Sequence, residues 1–249
     1  MIIAISIKNL KKSFGDNNIF ADFNLDIEAG KITAIFGPNG SGKSTLLNIL
    51  AGITKPDGGL IDFDGFRHYE FSYIFQNYRQ SLLPWRNNWQ NVALPLNIQK
   101  QSQEAIGRKI GELKNTFEID IDWKKYPYQL SGGQQQIVAF MRALSTDPKI
   151  LFIDEPFSAL DYKNNLRLRE HLQKYYLRRR PTIILVTHNI EEAVHLADKI
   201  VILSSRPTRV TEIIDNPLPY PRNIGSIASE DFRLVKNKVL EAFRQTANI

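Results

Sequence analysis

The sequence predicts an α/β protein organised on a parallel sheet. Three apolar runs carry that expectation: Ile32-Thr33-Ala34-Ile35-Phe36, Ile150-Leu151-Phe152-Ile153 and Thr182-Ile183-Ile184-Leu185-Val186-Thr187. Uninterrupted apolar stretches of this length mark strands buried on both faces, as helix-covered parallel sheets require. Each run ends in residues suited to chemistry. The first feeds a glycine-rich loop, the second ends in Asp154-Glu155, and the third ends at His188. Open α/β sheets bind ligands at the C-terminal ends of their strands, so all three ends point to one edge.

The N-terminal part has a different pattern. Ile3, Ile5 and Ile7 alternate with polar residues, Gly15-Asp16-Asn17-Asn18 marks a turn, and Phe23, Leu25 and Ile27 alternate again before Gly30. This predicts an antiparallel meander beside the parallel sheet. After the helix that follows the glycine-rich loop, Gly52 suits a helix C-terminus and Pro56-Asp57-Gly58-Gly59 a turn. Leu60-Ile61-Asp62-Phe63 and Ser72-Tyr73-Ile74-Phe75 read as two further strands, with Gln76 at the end of the second.

Residues 79–146 read as a mainly helical insertion, with Leu82-Leu83-Pro84-Trp85 and Val92-Ala93-Leu94-Pro95-Leu96 near its start and a polar helix over about 102–117. It closes on Leu130-Ser131-Gly132-Gly133-Gln134 and a helix from Gln135 to Ser145. Ser131 with Gln134 three residues later is a capping box, so local chemistry alone places a helix start here. A further helix is expected over about 163–180, and Asn189 with Glu192 caps the one after His188. Lys199-Ile200-Val201-Ile202-Leu203 is the last expected strand. Pro207, Pro217, Pro219 and Pro221 make 205–225 an irregular connection, and Phe232, Val235, Val239, Leu240 and Phe243 share one face of a terminal helix. The expected organisation is a single domain over 1–249: 1–78 and 147–225 as core with a β subdomain, 79–146 as a helical subdomain, and 226–249 as a C-terminal helix.

Composition bounds the function. With 249 residues, 43% of them apolar, the chain has material for a full core. No stretch approaches the roughly 18 apolar residues of a membrane span. The absence of cysteine excludes a disulfide framework and thiolate metal sites. The net charge of +6 is spread along the chain apart from Arg178-Arg179-Arg180, which closes a helix before Pro181 where cations meet the negative end of its dipole. That favours a solvated cluster over a nucleic-acid patch.

The glycine-rich loop is Gly37-Pro38-Asn39-Gly40-Ser41-Gly42-Lys43-Ser44-Thr45, set between a strand and a helix. Glycines permit positive φ and close backbone approach to an anion. The free amides and the positive end of the helix dipole then hold phosphate oxygens. Lys43 can reach terminal phosphates, Ser44 can ligate Mg²⁺, and Thr45 can donate one step further in. The loop therefore indicates a nucleoside triphosphate without stating the use of its energy.

The remaining candidates surround that loop. Gln76 ends a strand beside it. Buried carboxylates need partners, which a metal supplies for Asp154, while Glu155 on the other side of the chain can take a proton from an attacking water. His188 stands at a second strand end, where a structural role is the alternative. The two bare glycines after Ser131 expose amides at a second helix start, which is either a plain cap or a second anion surface. Phe14 is either a hairpin aromatic or a ring that stacks on adenine.

Taken together these residues resemble the ATPase subunits of ABC transporters over almost the whole chain. Gly37 to Thr45 resembles Walker A, Gln76 the Q-loop, Leu130 to Gln134 the family signature, Ile150 to Glu155 Walker B, Ser158 to Asp161 the D-loop and His188 the H-loop. The resemblance implies a P-loop NTPase (RecA-like) core with a parallel sheet, an antiparallel β subdomain and a helical insertion carrying the signature. It implies ATP and Mg²⁺ as ligands and a head-to-tail dimer, with a second copy or a paralogous ATPase subunit. Gly37, Asn39, Gly40, Ser41, Gly42, Lys43, Ser44 and Thr45 would hold one nucleotide, with Phe14 on its adenine. Ser131, Gly132, Gly133 and Gln134 would contact the partner's nucleotide, and Asp161 of the D-loop would also be a nucleotide-binding residue. Glu155 would be the general base, His188 would hold the γ-phosphate and water, and Gln76 would sense Mg²⁺, which Ser44 and Asp154 would hold.

A narrower similarity links Leu82-Leu83-Pro84-Trp85 and Ser205-Arg206-Pro207-Thr208-Arg209-Val210 to the nitrate/sulfonate/taurine importer branch, which also includes bicarbonate and thiamine-precursor systems. Two departures stand out: Gln135-Gln136 where the family usually has Gln-Arg, and a short link from Gly65 to Gln76. Neither touches a nucleotide ligand. The expected function is a peripheral subunit on the cytoplasmic face of the plasma (inner) membrane that powers an integral-membrane permease, served indirectly by a solute-binding protein. The leucine-, proline- and tryptophan-rich region at 77–96 is the expected docking surface, and nucleic acid is not an expected partner. The rival is a soluble ABC ATPase acting on nucleic acid or ribosomes, but such proteins usually carry two cassettes or a long coiled coil.

Overall fold

The computed structural model describes residues 2–157 and 160–247. The alternating N-terminal residues form two long strands, β1 (Ile3–Phe14) and β2 (Asn17–Glu28), paired antiparallel through a hairpin in which Gly15 takes a φ of +56°. The strand β4 (Gly58–Asp62) adds to the other edge of β1, giving a three-stranded sheet of order β2-β1-β4.

The second sheet has six strands in the order β5-β6-β7-β3-β8-β9. Its members are β3 (Ile32–Phe36), β5 (Phe71–Ile74), β6 (Ile150–Asp154), β7 (Thr182–Val186), β8 (Lys199–Leu203) and β9 (Val210–Asp215). The first five named in this order pair in parallel, and β9 runs antiparallel to β8. The irregular connection expected over 205–225 is thus corrected: it contains β9. Prolines 207 and 217 lie on either side of this strand, so they bound it without removing a ladder donor from it.

Every residue of β3, β6 and β7 is buried, and their side chains divide by the two-residue period of a strand. Ile32, Ala34, Phe36, Leu151 and Ile153 face the larger apolar cluster; Ile35, Ile150 and Phe152 face the cluster shared with the β1–β2 hairpin. Register then fixes the functional edge. Ile35 and Asp154 both pair with Val186, and Ile74 pairs with Ile153. The segments that follow β3, β5, β6 and β7 therefore leave the sheet side by side.

Helices cover both faces. α1 (Lys43–Leu50) follows the glycine-rich loop. Between β5 and β6 lie α2 (Tyr78–Ser81), α3 (Asn88–Ile98), α4 (Gln103–Phe117) and α5 (Gly132–Leu144). α6 (Tyr162–Arg179) connects β6 to β7, and α7 (Ile190–Leu196) connects β7 to β8. After β9 come the short α8 (Ile224–Ile227) and α9 (Glu230–Ala247), whose Phe232, Val235 and Val239 are buried and whose Phe243 meets Phe36 edge-on at 5.1 Å. Gln136, at the unusual position after the signature, is buried and donates from Nε2 to the Pro156 carbonyl, docking α5 onto the end of β6. Among the described residues no helix is long and apolar enough to cross a membrane.

Candidate active site

The glycine-rich loop owes its course to contacts that only glycine permits. Gly40 and Gly42 take φ values of +76° and +95°. A Cβ on Gly42 would sit 2.4 Å from Ile19 Cγ2, and one on Gly37 would sit 2.9 Å from Leu203 Cβ. The loop is thus pressed between β2 and the end of β8, and no larger residue fits at either point. Lys43 opens α1 and turns back over the loop, donating from Nζ to Gly37 O at 3.0 Å and Pro38 O at 2.9 Å. An ammonium has three protons, so the third remains for a phosphate oxygen. Burial pushes the Lys43 ammonium below its ordinary range, while Glu155 and Asp154 oppose that shift. Asn39 and Ser44 are exposed, Ser41 is buried, and Thr45 is half-buried in the first turn of α1.

Asp154 ends β6. Its Oδ1 accepts from Ser44 Oγ at 3.0 Å and its Oδ2 from Tyr73 Oη at 3.4 Å. Burial raises this carboxyl above its usual range, and the Ser44 hydrogen bond opposes that shift. A buried acid held by hydroxyls beside a phosphate-type loop is a hard oxygen donor set that suits Mg²⁺, which takes one or two protein oxygens and completes its shell with water and phosphate. Tyr73 shares its one hydroxyl proton between Asp154 Oδ2 and Asn48 Oδ1, the latter at 3.1 Å, so it links α1 to β6.

Glu155 is the next residue, and its φ of +42° is in the left-handed region. Its N–H donates to Val186 O at 2.9 Å, which holds the turn. That backbone reversal sends its side chain away from Asp154's partners and toward two other strand ends. Gln76, just past β5, donates from Nε2 to Glu155 Oε2 at 3.2 Å, and His188 Nδ1, just past β7, lies 3.1 Å from the same oxygen. The backbone on either side of His188 is held by its neighbours: Asn189 Oδ1 caps α7, and Thr187 Oγ1 donates to Glu192 Oε2 at 2.6 Å. A cavity of about 230 Å³ opens at Glu155, His188 and Asn189.

The structure therefore gathers the loop, Ser44, Asp154, Glu155, Gln76 and His188 along one sheet edge. Phe14 lies at the tip of the β1–β2 hairpin, half exposed, with Lys12 Nζ 5.0 Å from its ring centroid. It is an accessible aromatic rather than a core residue. The signature residues sit elsewhere. Ser131 Oγ accepts from Gln134 N at 3.3 Å and Gln134 Oε1 accepts from Ser131 N at 3.0 Å, which is the expected capping box at the start of α5. Among the described residues, no hydrogen bond joins Ser131 to Gln134 with the glycine-rich loop. Gly133 approaches Leu160, and the two line a cavity of about 380 Å³ with Asn164. Asp161 is the N-cap of α6, its carboxylate taken by Asn164 N at 3.1 Å and Asn164 Nδ2 at 2.6 Å. Ser158 and Ala159, which precede it, lie outside the described residues.

Tyr73 was not among the residues that the sequence singles out for the site. A phenol in alternation next to a strand end is its only signal. Arg206 and Thr208 were also missed as neighbours of the loop, although they lie in a six-residue stretch that the sequence sets apart. Arg206 Nε donates to Gly40 O, and Thr208 Oγ1 donates to Ser41 O.

Comparison with known proteins agrees with this geometry. The family described as ABC transporter matches residues 20–158. An aliphatic sulfonates import ATP-binding protein, SsuB, of Bacillus licheniformis is 38% identical over 252 residues, covering 98% of this chain and 96% of the relative. A sulfate/thiosulfate import ATP-binding protein, CysA, of Bacillus cereus is 41% identical over 213 residues, which is 81% of this chain and 59% of that longer relative. The dimeric post-hydrolysis structure of the ATP-binding cassette MJ0796 bound to ADP and Pi aligns with a TM-score of 0.75 and 30% identity, covering 86% of this chain and all of that one.

Proposed function

This chain belongs to the ABC transporter ATP-binding family, and on that footing we propose that it hydrolyses MgATP and uses the cycle to drive a separate membrane permease that imports a small anion. The observation that carries the hydrolytic part is the convergence of Gln76 and His188 on one oxygen of Glu155, beside the Asp154–Ser44 pair. Loop amides and Lys43 bind the β- and γ-phosphates. Ser44, Asp154 and Gln76 would hold Mg²⁺, and the ion when bound would supply neutralisation of phosphate charge. Glu155 accepts the proton of the attacking water, and His188 orients that water and the γ-phosphate.

The helix start at Ser131 to Gln134 gains a purpose in a dimer. Its amides and the positive end of α5 suit a phosphate, yet its own chain's loop is not bonded to it. A second copy, or a paralogous subunit, turned head to tail brings that surface to the γ-phosphate held by the first, and Asp161 lies at the same face. Phe14 stacks on the adenine. The permease docks around 77–96, where Trp85 is 71% exposed, and the chain is peripheral to the membrane. A solute-binding protein delivers the anion to that permease, and the solute class follows the sulfonate, nitrate, taurine and bicarbonate branch.

Two measurements test this reading. Pull-down from membranes must recover a polytopic protein; recovery of ribosomes or DNA instead contradicts it. Reconstitution with that permease must make ATP turnover respond to one of the anions, and indifference to all of them removes the proposed solute class.

A further inference from the structure

The amides of a phosphate-binding loop point inward, which turns its carbonyls outward, where donors from elsewhere in the fold can fix them. In this chain the donors can be assigned. Gly37 O and Pro38 O accept from Lys43, and Gly42 O accepts from Leu46 N at 2.8 Å within α1. The two carbonyls at the crest, Gly40 O and Ser41 O, accept from Arg206 and Thr208. Both donors belong to the turn between β8 and β9, 166 and 167 residues away in sequence.

This turn is built to hold its shape. Ser204 N donates to Arg209 O at 2.9 Å, and Arg209 N donates back to Ser204 Oγ at 2.9 Å. Thr208 N donates to Ile19 O at 2.8 Å, which ties the turn to β2 at the residue that also confines Gly42. Thr208 is buried at 1% exposure, whereas Arg206 is exposed and lines a shallow cavity with Asn39, Gly40 and Ser41.

We infer that Arg206 and Thr208 are positioning residues for ATP binding: they hold the crest of the glycine-rich loop in its anion-accepting conformation by satisfying the Gly40 and Ser41 carbonyls. The inference rests on the nucleotide reading of that loop. Lys43 divides its protons between the loop and a phosphate, so among the side-chain donors to the loop Arg206 and Thr208 are the two whose bonding is independent of nucleotide. Their loss leaves the crest able to rotate its peptides, and the cost falls on binding rather than on the hydrolytic groups at Glu155.

Titration and steady-state kinetics of the full chain with MgATP test this. Arg206→Ala and Thr208→Val each remove one donor, the first at an exposed position and the second with little change of shape. Each is expected to raise the Kd and KM for ATP about three- to tenfold, the usual size of one lost hydrogen bond, with kcat held within about twofold. Arg206→Lys and Thr208→Ser, which keep a donor, are expected to recover most of the loss. Unchanged ATP affinity in both donor-removing variants, while the parent chain binds ATP normally, overturns the inference and leaves the nucleotide reading standing. Weakened binding that the donor-keeping variants fail to recover also overturns it, because the effect then belongs to packing. A parent chain that does not bind ATP brings down both.

Discussion

Glu155 Oε2 lies 3.1 Å from His188 Nδ1, although the two residues are contributed by different strands and 33 positions apart in the sequence. Parallel pairing of β6 with β7, in which Asp154 faces Val186, brings them to the same height above the sheet. The left-handed turn at Glu155 then aims the carboxylate across to the histidine. Such a conformation costs on the order of 1–3 kcal/mol in a non-glycine residue and persists only where its surroundings hold it. Here the Glu155 N–H bond to Val186 O does so.

If Glu155 is the proton acceptor, Glu155→Gln lowers kcat by about 10²–10⁴, the range for one positioned acid or base. ATP affinity is expected to survive, because the loop and Lys43 are untouched. A stable ATP-bound dimer is then expected on size-exclusion chromatography with MgATP. Near-normal turnover in this variant contradicts the assignment.

Lys43→Ala removes a charge-assisted contact to the phosphates and also two donors from the loop itself. ATP affinity is expected to fall about ten- to a hundredfold, as loss of a hydrogen bond to a charged group implies. Nucleotide titration reads the change, with circular dichroism as the check on folding. Binding equal to that of the parent chain overturns the loop assignment.

Much of this site was legible before the fold was known because its residues sit at the ends of uninterrupted apolar runs. A run such as Ile150 to Ile153 announces both its burial and the edge to which it delivers Asp154 and Glu155. The strand β9 was not legible. Its sequence, Val210 to Asp215, is half exposed and forms no uninterrupted apolar run, and the prolines on both sides dominate the local pattern. Tyr73 and Thr208 were hidden for another reason. A single hydroxyl in a strand or a turn has no spacing to betray it, and its value comes from what the tertiary fold places opposite. Gln136 was noticed only as a departure, yet its burial against Pro156 shows an amide taking a docking position without a charge.

Stability is expected to fall in mild acid through two buried histidines. Burial lowers His195 to about 3, helped by the nearby Arg169 and Arg222. Burial likewise lowers His171 to about 4; Lys174 and Arg167 act in the same direction and Glu118 against it. Both imidazoles are neutral in the folded chain and protonate at about 6.5 when unfolded. The unfolded state therefore binds more protons between about pH 6.5 and 4, and stability drops as pH falls through that window, by at most about 1.4 kcal/mol per pH unit for each histidine. Urea midpoints at neutral pH and across the window check the sign. His171→Gln is expected to flatten the slope, and a slope unchanged by that substitution contradicts the attribution to His171.

Arg222 is 1% exposed, and its guanidinium lies wholly among carbonyls and one ring. It donates to Val194 O at 3.0 Å and Ala197 O at 2.8 Å at the end of α7, and to Leu218 O at 3.1 and 2.7 Å. Tyr220 stacks against it at 4.1 Å. The last carbonyls of α7 have no partners within the helix, and Arg222 terminates it together with Asn216, whose Nδ2 donates to Val194 O and Ala197 O at 2.8 Å each, and Tyr220, whose hydroxyl donates to Leu196 O. α7 begins directly after His188 and Asn189, so its C-terminal anchor also bears on the site edge. Arg222→Met keeps the aliphatic volume, takes both guanidinium donors from Leu218 O and leaves Val194 O and Ala197 O with Asn216 alone; an acceptor left unsatisfied in the interior costs about 1–3 kcal/mol. A loss of roughly 1–3 kcal/mol in urea unfolding is expected, the cost of the one acceptor left without a donor. Because Glu155, Gln76 and the glycine-rich loop are anchored by other strands, ATP affinity measured below the unfolding transition is expected to change far less than stability. A variant as stable as the parent shows that water or a neighbouring donor replaces the guanidinium, and the anchoring role assigned to Arg222 then fails.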